Sequence, residues 1–534
     1  MRRLISWNSL GVASIVLIGL ALRLPPLWAH RFHQDEALYA SWALLISTRR
    51  DLMLHTVPVD KPPLFFYILA RFFTWFGSSE VVARLPGLIA GVLSIWLVYL
   101  LAQRLYDKRT AWLATALFTA SPMAILFSPT AFTDPLMLFF GLAGCLAGAY
   151  GAWGLAGLGV GLAAVTKQQG ILFLPLALGL GWISRRGNES AGRRGSEMAG
   201  KHGLIAHPGL WPLALPGYHW VIPLSLFVLG TAYPIWKAIQ WDGWRHLPPD
   251  RPGFLVQSVI SYGGLALVPV AKWPARVMEW LPWLGYLTGS PLLNALLAVG
   301  LPWLGWRAWR WRGESAARVD GVLLSYGLAY MALHVVLSFQ VWDRYLLPLA
   351  PIVALLGARV LWALTAKVKT AKLTRGEGDR KRARLVTAIL VALLAVLLAV
   401  PAVKAARSGF PVGSDHGAYD GIDQVAAFLK AELPTGAVLY HRWLGWHWRY
   451  YLFDVLFNFR YYDSTEALVA DADGPPEIIR YIVFPGWHLA ERDEVQAALA
   501  ERGIALIHRF ETRRADGSVS FIVYRIERIR PHAP

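Results

Sequence analysis

The stretch LGVASIVLIGLALRLPPLW, residues 10–28, is the first of many long apolar segments in this sequence. An α-helix needs about 20 predominantly apolar residues to cross the roughly 30 Å hydrocarbon core of a bilayer. The stretch follows Arg2 and Arg3 and lacks a clear small-residue cleavage site. We therefore interpret it as a retained membrane helix rather than as a signal peptide.

The composition of the whole chain indicates an integral membrane protein. The 534 residues are 56% hydrophobic and 16% charged, and the mean hydropathy is +0.42, which is far from the values of soluble enzymes. The net charge of +18 resides in short basic clusters between apolar segments, which argues against a nucleic-acid partner. Because Cys145 is the single cysteine, a disulfide framework and a thiolate metal cluster are excluded.

The apolar segments predict a polytopic α-helical membrane protein with about eleven transmembrane helices. We place the spans at 8–28, 81–102, 110–127, 133–150, 152–165, 169–184, 212–236, 288–306, 320–338, 345–365 and 385–404. With a cytoplasmic N-terminus, the even-to-odd connections lie inside, and they carry the basic clusters 103–109, 185–201, 307–318 and 367–384. This distribution satisfies the positive-inside rule. The Gly-rich segment 152–165 is the weakest of these predictions.

Two domains are predicted. Residues 1–404 form a transmembrane module with outer loops 29–80 and 237–287, and residues 405–534 form an extracytoplasmic α/β domain. The second region contains two helix-like stretches, 421–433 and 492–503, and four strand-like stretches at 436–442, 478–485, 504–510 and 520–527, with a hairpin turn at 514–518.

Ionisable residues lie at helix ends on the predicted outer face of the membrane. They are Asp35, Glu36, Asp60, Lys61, Arg84, Asp134, Lys167, Asp343 and Arg344. Charged groups near a bilayer are costly and usually mark function. Acids and bases that gather on one surface predict a site that holds an anionic lipid head group.

Each residue also has a purely structural interpretation. Asp35 and Glu36 would be solvated acids at the start of a helix, where carboxylates interact favourably with the helix dipole. Asp60 and Lys61 would form an exposed ion pair. Asp134 before Pro135 matches a helix N-cap.

Lys167 and Arg344 would snorkel to the interface. His33 is a solvated loop histidine or, less favoured, a metal ligand together with Asp35 or Asp60. The aromatic runs 239–254 and 440–451 either stack on sugars and polyprenyl chains or anchor at the membrane interface.

Several motifs resemble those of the GT-C glycosyltransferases of the protein O-mannosyltransferase and aminoarabinose-transferase (ArnT-like) type, glycosyltransferase family 39. The motifs are DEALYA (35–40), DKPPLFFY (60–67), EVVARLPGLIAG (80–91), TDPLMLFF (133–140), VTKQQGILFLPL (165–176) and WDRYLLPLAPIVALL (342–356). The resemblance covers roughly residues 8–365 and is weak in the C-terminal region. Many members have Glu before Lys-Pro-Pro, where this chain has Asp60.

The resemblance implies an inverting transfer of a sugar from a polyprenyl phosphate to an acceptor hydroxyl at the outer face of the membrane. Asp35 matches the catalytic base, and Glu36 would orient that base or the acceptor. Lys61 is the first candidate for binding the departing phosphate, and Arg84, Lys167 and Arg344 are the next candidates. Asp60 and Asp134 are further candidate substrate-site residues.

The expected partners are therefore a lipid-linked sugar and membrane lipids. Whether a divalent metal ion also binds is left open by the sequence. A transporter or flippase of lipid-linked sugars is the rival function, since embedded charges also line translocation paths. A third possible function is that of a catalytically inactive binding subunit. The sequence leaves the sugar, the acceptor and the oligomeric state open.

Overall fold

The computed structural model describes residues 7–185, 221–261, 266–370 and 377–529. Some sequence predictions lie outside these residues. They are Arg2 and Arg3, nearly all of the basic loop 185–201, the start of the span 212–236 and residues 371–376 of the basic loop 367–384.

The chain divides into two compact units. The helical unit comprises Met1–Pro26, Met53–Ile68 and Arg84–Gly413, and the α/β unit comprises Leu27–Leu52, Leu69–Ala83 and Ser414–Pro534. The α/β unit therefore contains not only the C-terminal region but also two segments from the predicted outer loop 29–80.

Helices account for most of the chain up to residue 406. They are α1 (Trp7–Ala29), α2 (Gln34–Ser47), α3 (Leu64–Phe76), α4 (Glu80–Leu105), α5 (Lys108–Ala120), α6 (Pro122–Phe127), α7 (Asp134–Ala149), α8 (Trp153–Thr166), α9 (173–185), α10 (Val221–Trp244), α11 (Phe254–Ser261), α12 (Trp273–Leu284), α13 (Pro291–Arg310), α14 (Ser315–Val336), α15 (Leu349–Thr370) and α16 (Glu377–Ala406).

Within the described residues, five helices are long and apolar enough to cross a membrane, or six if the bent pair Val270–Leu287 and Pro291–Arg310 is one span. Shorter apolar helices include α3, α7 and α8. A polytopic helical membrane protein is thus confirmed, while the count of eleven spans stays a prediction.

The sequence predicted one span at 110–127, whereas the structure has two helices, α5 and α6. The break is at Ser121, whose extended backbone ends α5 and whose hydroxyl accepts a hydrogen bond from the amide of Ala124 in α6. Pro122 occupies the first turn of α6, where its missing N–H costs nothing. A Ser-Pro pair of this kind starts a new helix.

The Gly-rich helix α8 owes its composition to close packing against α10. A Cβ on Gly157 would lie 2.0 Å from the carbonyl oxygen of Phe227 in α10, so the two backbones touch at this point. Small residues allow this approach between membrane helices. The hydroxyl of Thr231 donates to the Gly157 carbonyl at 3.2 Å across the same contact.

The C-terminal part of the α/β unit is a five-stranded mixed sheet with helices on both faces. Its elements are α17 (Ile422–Glu432), β1 (Val438–His441), α18 (Gly445–Tyr451), β2 (Asn458–Tyr461), α19 (Thr465–Ala472), β3 (Arg480–Pro485), α20 (Leu489–Ala500), β4 (Ile504–Arg513) and β5 (Val519–Arg528). The strand order is β2-β1-β3-β5-β4. β1 is parallel to β2 and β3, and β5 is antiparallel to β3 and β4.

Alternation along the strands gives this sheet two separate cores. In β1, Leu439 packs in the core shared with α17 and α18, while its neighbours Val438 and Tyr440 pack in the core shared with α19 and α20. Burial on both faces explains why these strands are nearly continuous apolar runs. The predicted α/β fold of the C-terminal region is confirmed, while the domain bounds and the extracytoplasmic location stay predictions.

Candidate functional site

The predicted site residues fall into two groups that lie in different units. Asp60, Lys61, Arg84, Asp134, Lys167 and Arg344 are in the helical unit, and Asp35 and Glu36 are in the α/β unit.

Asp60 and Lys61 form a short ion pair in the loop that precedes α3. Lys61 Nζ lies 2.6 Å from Asp60 Oδ2, and the side chains are 4% and 15% exposed. The exposed ion pair that the sequence left open is therefore not what the structure contains.

The backbone of this loop is held by the segment that follows α10. The buried guanidinium of Arg245 donates to the carbonyls of Leu54 at 2.7 Å and Val57 at 3.2 Å. Arg245 is itself paired with Asp242, at 3.1 Å, and the other oxygen of Asp242 accepts from the Phe254 amide. Part of the aromatic run 239–254 thus serves to position the Asp60–Lys61 loop.

A second anchor comes from the residue after Lys167. Gln168 Nε2 donates to the Asp60 carbonyl at 2.7 Å, and the Ser258 hydroxyl of α11 donates to the same oxygen. The loop that carries Lys61 and the turn that carries Lys167 are therefore joined directly.

Lys167 and Asp134 form a second buried pair. Lys167 Nζ lies 2.6 Å from Asp134 Oδ1, with side chains 6% and 2% exposed, and 4.5 Å from the centre of the Tyr345 ring. Thr133 is the N-cap of α7, and Asp134 and Pro135 are its first two residues. The N-cap interpretation of Asp134 is therefore wrong, and burial rules out a Lys167 side chain that snorkels to water.

Arg344 and Arg84 are also buried in the helical unit. The Arg344 guanidinium lies 3.8 Å from the Trp342 ring centre and 5.1 Å from that of Phe132, so it is not a snorkelling residue either. Arg344 and Lys61 are both close enough to Lys167 to act on it electrostatically. Three cationic side chains therefore lie near one another in the helical unit, and two of them are paired with the carboxylates of Asp134 and Asp60.

A cavity of about 370 Å³ opens beside Lys167. Its polar lining comes from Lys167, Gln168, Gln169, Ser258, His334 and Tyr345, and its apolar lining from Ile171, Leu172, Leu255, Val259, Leu333, Leu337 and Phe339. Gln169 lies 3.3 Å from His334, and the Tyr330 hydroxyl donates to the Tyr345 carbonyl at 2.6 Å. These contacts fix the wall of a cavity that suits a ligand with one anionic end and a hydrocarbon body.

In the α/β unit, Asp35 and Glu36 occupy the first turn of α2. Glu36 is buried, and its carboxylate accepts from the His33 amide at 3.0 Å, while Asp35 is half-buried. His33 Nδ1 accepts from the Asp35 amide at 2.9 Å. The two adjacent acids therefore differ in their surroundings: the buried Glu36 stabilises the start of the helix, and Asp35 lies half-buried in the same turn.

Tyr419 of the C-terminal region lies within electrostatic range of Asp35. Burial raises the pKa of its phenol above the usual value, and the carboxylates of Asp415 and Asp35 raise it further. A phenol that stays protonated is a hydrogen-bond donor at all physiological pH values. It stacks on His447, with ring centres 4.1 Å apart.

Five of the twelve residues in the run 440–451 are buried. Trp448 and His447 are fully buried, and His447 Nε2 donates to the Phe32 carbonyl at 3.0 Å. Trp443 is 44% exposed. Within the described part of the chain, no three His, Cys, Asp or Glu side chains gather in a way that could hold a metal ion.

Sequence reasoning missed Gln168, Ser258, Arg245 and Asp415. Neutral residues such as Gln168 and Ser258 carry no charge signal, although Gln168 follows a singled-out lysine. Arg245 and Asp415 act on loops far away in the chain, which a single sequence does not reveal.

Comparison with known proteins agrees with this architecture. The model of the dolichyl-phosphate-mannose-protein mannosyltransferase family matches residues 60–191. The Bacillus subtilis protein YkcB is 33% identical over 84 residues, which is 16% of this chain and 12% of YkcB.

Three solved structures are similar in fold. ArnT from Cupriavidus metallidurans in the apo state gives a TM-score of 0.59 at 16% identity, over 97% of this chain and 98% of ArnT. ArnT bound to undecaprenyl phosphate gives 0.56 at 17% identity, with the same coverage. The Archaeoglobus fulgidus oligosaccharyltransferase gives 0.53 at 14% identity, over 96% of this chain and 74% of that one. The resemblance inferred from the motifs is confirmed: the mannosyltransferase family model matches part of the chain, and the chain shares its fold with ArnT and with the Archaeoglobus fulgidus oligosaccharyltransferase.

Proposed function

We propose that this protein is a membrane glycosyltransferase that moves a sugar from a polyprenyl phosphate to an acceptor hydroxyl at the outer face of the membrane. The observation that carries the proposal is the cavity beside Lys167, which joins a buried cation to an apolar interior. A polyprenyl phosphate has this division of chemistry, and ArnT, of the same fold, has been solved with undecaprenyl phosphate bound.

In this proposal the cations of the helical unit receive the phosphate. Lys167 and Lys61 are buried, each within 2.6 Å of one carboxylate oxygen, and Arg344 lies within electrostatic range of Lys167. Fixed cations in a poorly hydrated site stabilise the negative charge that develops as the sugar departs. Because polyprenyl phosphate is already a good leaving group at neutral pH, no general acid is needed.

Asp35 is the proposed base. Its carboxylate takes the proton of the acceptor hydroxyl as the oxygen attacks the anomeric carbon, and the bond to the phosphate breaks on the opposite face of the sugar. Direct displacement of this kind inverts the anomeric configuration. The retaining alternative with two flanking carboxylates has no support, because Glu36 is buried in the helix cap.

The test uses the purified full-length chain in lipid nanodiscs and a panel of undecaprenyl-phosphate-linked sugars. Release of undecaprenyl phosphate is measured for each donor by mass spectrometry. We expect turnover with one donor class, loss of turnover in Asp35→Asn, and retained binding of undecaprenyl phosphate by that variant. Full activity of Asp35→Asn would remove Asp35 from the mechanism.

The donor site has its own test. Lys61→Ala should weaken binding of undecaprenyl phosphate by about 10-fold or more, because a hydrogen bond to a charged group contributes about 1.5–3 kcal/mol. Lys237→Ala is the matched control, since Lys237 is an exposed lysine of α10. A transporter would instead move the intact donor across a proteoliposome membrane without releasing undecaprenyl phosphate, and that result would replace the proposal.

A further inference from the structure

The N-cap residue of α2 is His33, whose imidazole side chain caps the helix. His33 Nδ1 accepts the amide hydrogen of Asp35 at 2.9 Å, and the Glu36 carboxylate returns to the His33 amide at 3.0 Å. This reciprocal arrangement is a capping box. The backbone of the proposed base is therefore fixed by a side chain two residues before it.

The other ring nitrogen of His33 reaches the C-terminal region. His33 Nε2 lies 3.2 Å from Asp415 Oδ1, and both side chains are half-buried. Because Nδ1 accepts a hydrogen bond from Asp35, the ring hydrogen must be on Nε2, which donates to Asp415. One imidazole thus joins the first turn of α2 to a residue that lies far along the chain.

Asp415 sits on an anchored segment, Ser414–Asp420. At its end, Asp420 accepts from the Arg31 amide at 2.9 Å and lies 3.1 Å from His30 Nδ1. Arg514, from the hairpin between β4 and β5, donates to the carbonyl oxygens of Gly417 and Ala418 at 3.2 and 3.1 Å. Because these contacts hold the middle and the end of the segment, Asp415 is a fixed partner for His33 rather than a mobile one.

We infer that His33 is a positioning residue that aligns the Asp35 carboxylate by holding the start of α2 with one nitrogen and Asp415 with the other. The inference rests on the proposed role of Asp35. It gives the C-terminal region a part in the reaction: without Asp415, the imidazole can turn, and the first turn of α2 loses its alignment. A displacement of about 1 Å at a reacting group can cost about 100-fold in rate.

Four variants separate the bridge from the cap. His33→Asn keeps an acceptor suited to an N-cap but is too short to reach Asp415. Asp415→Leu removes the acceptor for His33, whereas Asp415→Asn retains one. Tyr451→Phe is the matched control, because it deletes a hydrogen bond of the same unit, from the Tyr451 hydroxyl to Glu80 at 2.6 Å, in which neither His33 nor Asp415 takes part.

Release of undecaprenyl phosphate is measured with the donor that the panel identifies, and binding is measured with undecaprenyl phosphate. We expect kcat to fall between about 10- and 100-fold in His33→Asn and Asp415→Leu, with KM for the donor and undecaprenyl phosphate affinity changed less than about threefold. Asp415→Asn and Tyr451→Phe should keep the wild-type kcat. The double variant His33→Asn/Asp415→Leu should be no slower than the slower single variant.

Wild-type kcat in His33→Asn together with inactivity of Asp35→Asn would overturn the inference and leave the proposed function intact. Additive losses in the double variant, or an equal loss in Tyr451→Phe, would also overturn it, since both point to general loosening of the unit. If Asp415→Leu does not fold, His33→Asn against Tyr451→Phe decides the question. Full activity of Asp35→Asn would instead refute the proposed function.

Discussion

The buried pair of Lys167 and Asp134 allows stability and donor binding to be separated by substitution. Its atoms are 2.6 Å apart, and the side chains are 6% and 2% exposed. Asp134→Asn leaves the ammonium without its carboxylate, Lys167→Met leaves the carboxylate without its cation, and the double variant leaves neither charge.

Removing one partner of a buried ion pair costs about 3–5 kcal/mol, because the remaining charge is uncompensated, whereas replacing both partners is often nearly neutral. Each single variant should therefore be markedly less stable than the double variant. Binding of polyprenyl phosphate should follow a different order. Lys167→Met and the double variant lose a charged hydrogen bond worth about 1.5–3 kcal/mol, which is about 10- to 100-fold in affinity. Asp134→Asn keeps the cation and should bind at least as tightly as the wild type.

The assay is a melting temperature in detergent for each variant, together with a titration of undecaprenyl phosphate followed by tryptophan fluorescence. The reasoning is refuted if the double variant is less stable than both single variants, since the pair would then not be compensating buried charge. It is also refuted if the double variant binds undecaprenyl phosphate with wild-type affinity, because Lys167 would then not contact the phosphate.

Three further predictions follow from other parts of the chain. Burial lowers the pKa of His447 to about 4, from about 6.5 in the unfolded chain. The free energy of unfolding of the α/β unit should therefore fall by about 2 kcal/mol as the pH falls from 7 to 5. Hydrogen exchange of α18, corrected for intrinsic rates, should show this loss, and His447→Asn should reduce it. Arg245→Met should weaken undecaprenyl phosphate binding about 10-fold, because two loop carbonyls next to the Asp60–Lys61 pair lose their donor; wild-type affinity would contradict this. Gly157→Ala should destabilise the helical unit by about 1–3 kcal/mol through its clash with α10, whereas Gly154→Ala, whose Cβ would lie 3.9 Å from the nearest atom, should melt like the wild type.

The sequence predicted those elements whose apolar pattern is decided locally. The apolar run 478–485 is β3, and the turn at 514–518 joins β4 to β5. β2, at 458–461, was not predicted, because it is a four-residue strand at the edge of the sheet with mostly exposed side chains. The span that contains α8 is the least certain prediction, because glycine disfavours helices in isolation. The close contact with α10 nevertheless requires glycine at position 157.

For the candidate site, the sequence identified the charged groups but not their partners. Asp134 before Pro135 has the sequence of an N-cap, and only the tertiary contact with Lys167 gives it another task. The local sequence predicts a solvated loop residue or a metal ligand at His33, because its partner Asp415 is remote in sequence. Charge at helix ends is a local property, whereas the choice of counter-ion depends on the folded chain.

The sequence placed Asp35 in the membrane module, but its helix packs as part of the α/β unit, with the Phe32 carbonyl bound by His447. The proposed base and the proposed phosphate cations therefore belong to units with separate cores. Donor affinity should depend on the packing around Lys167, and the rate of proton removal on the packing around α2. Substitutions that loosen the helical unit should then raise KM for the donor, and those that loosen the first turn of α2 should lower kcat. Kinetic measurements, rather than the distance of a residue from the substrate, should therefore distinguish these two classes of substitution.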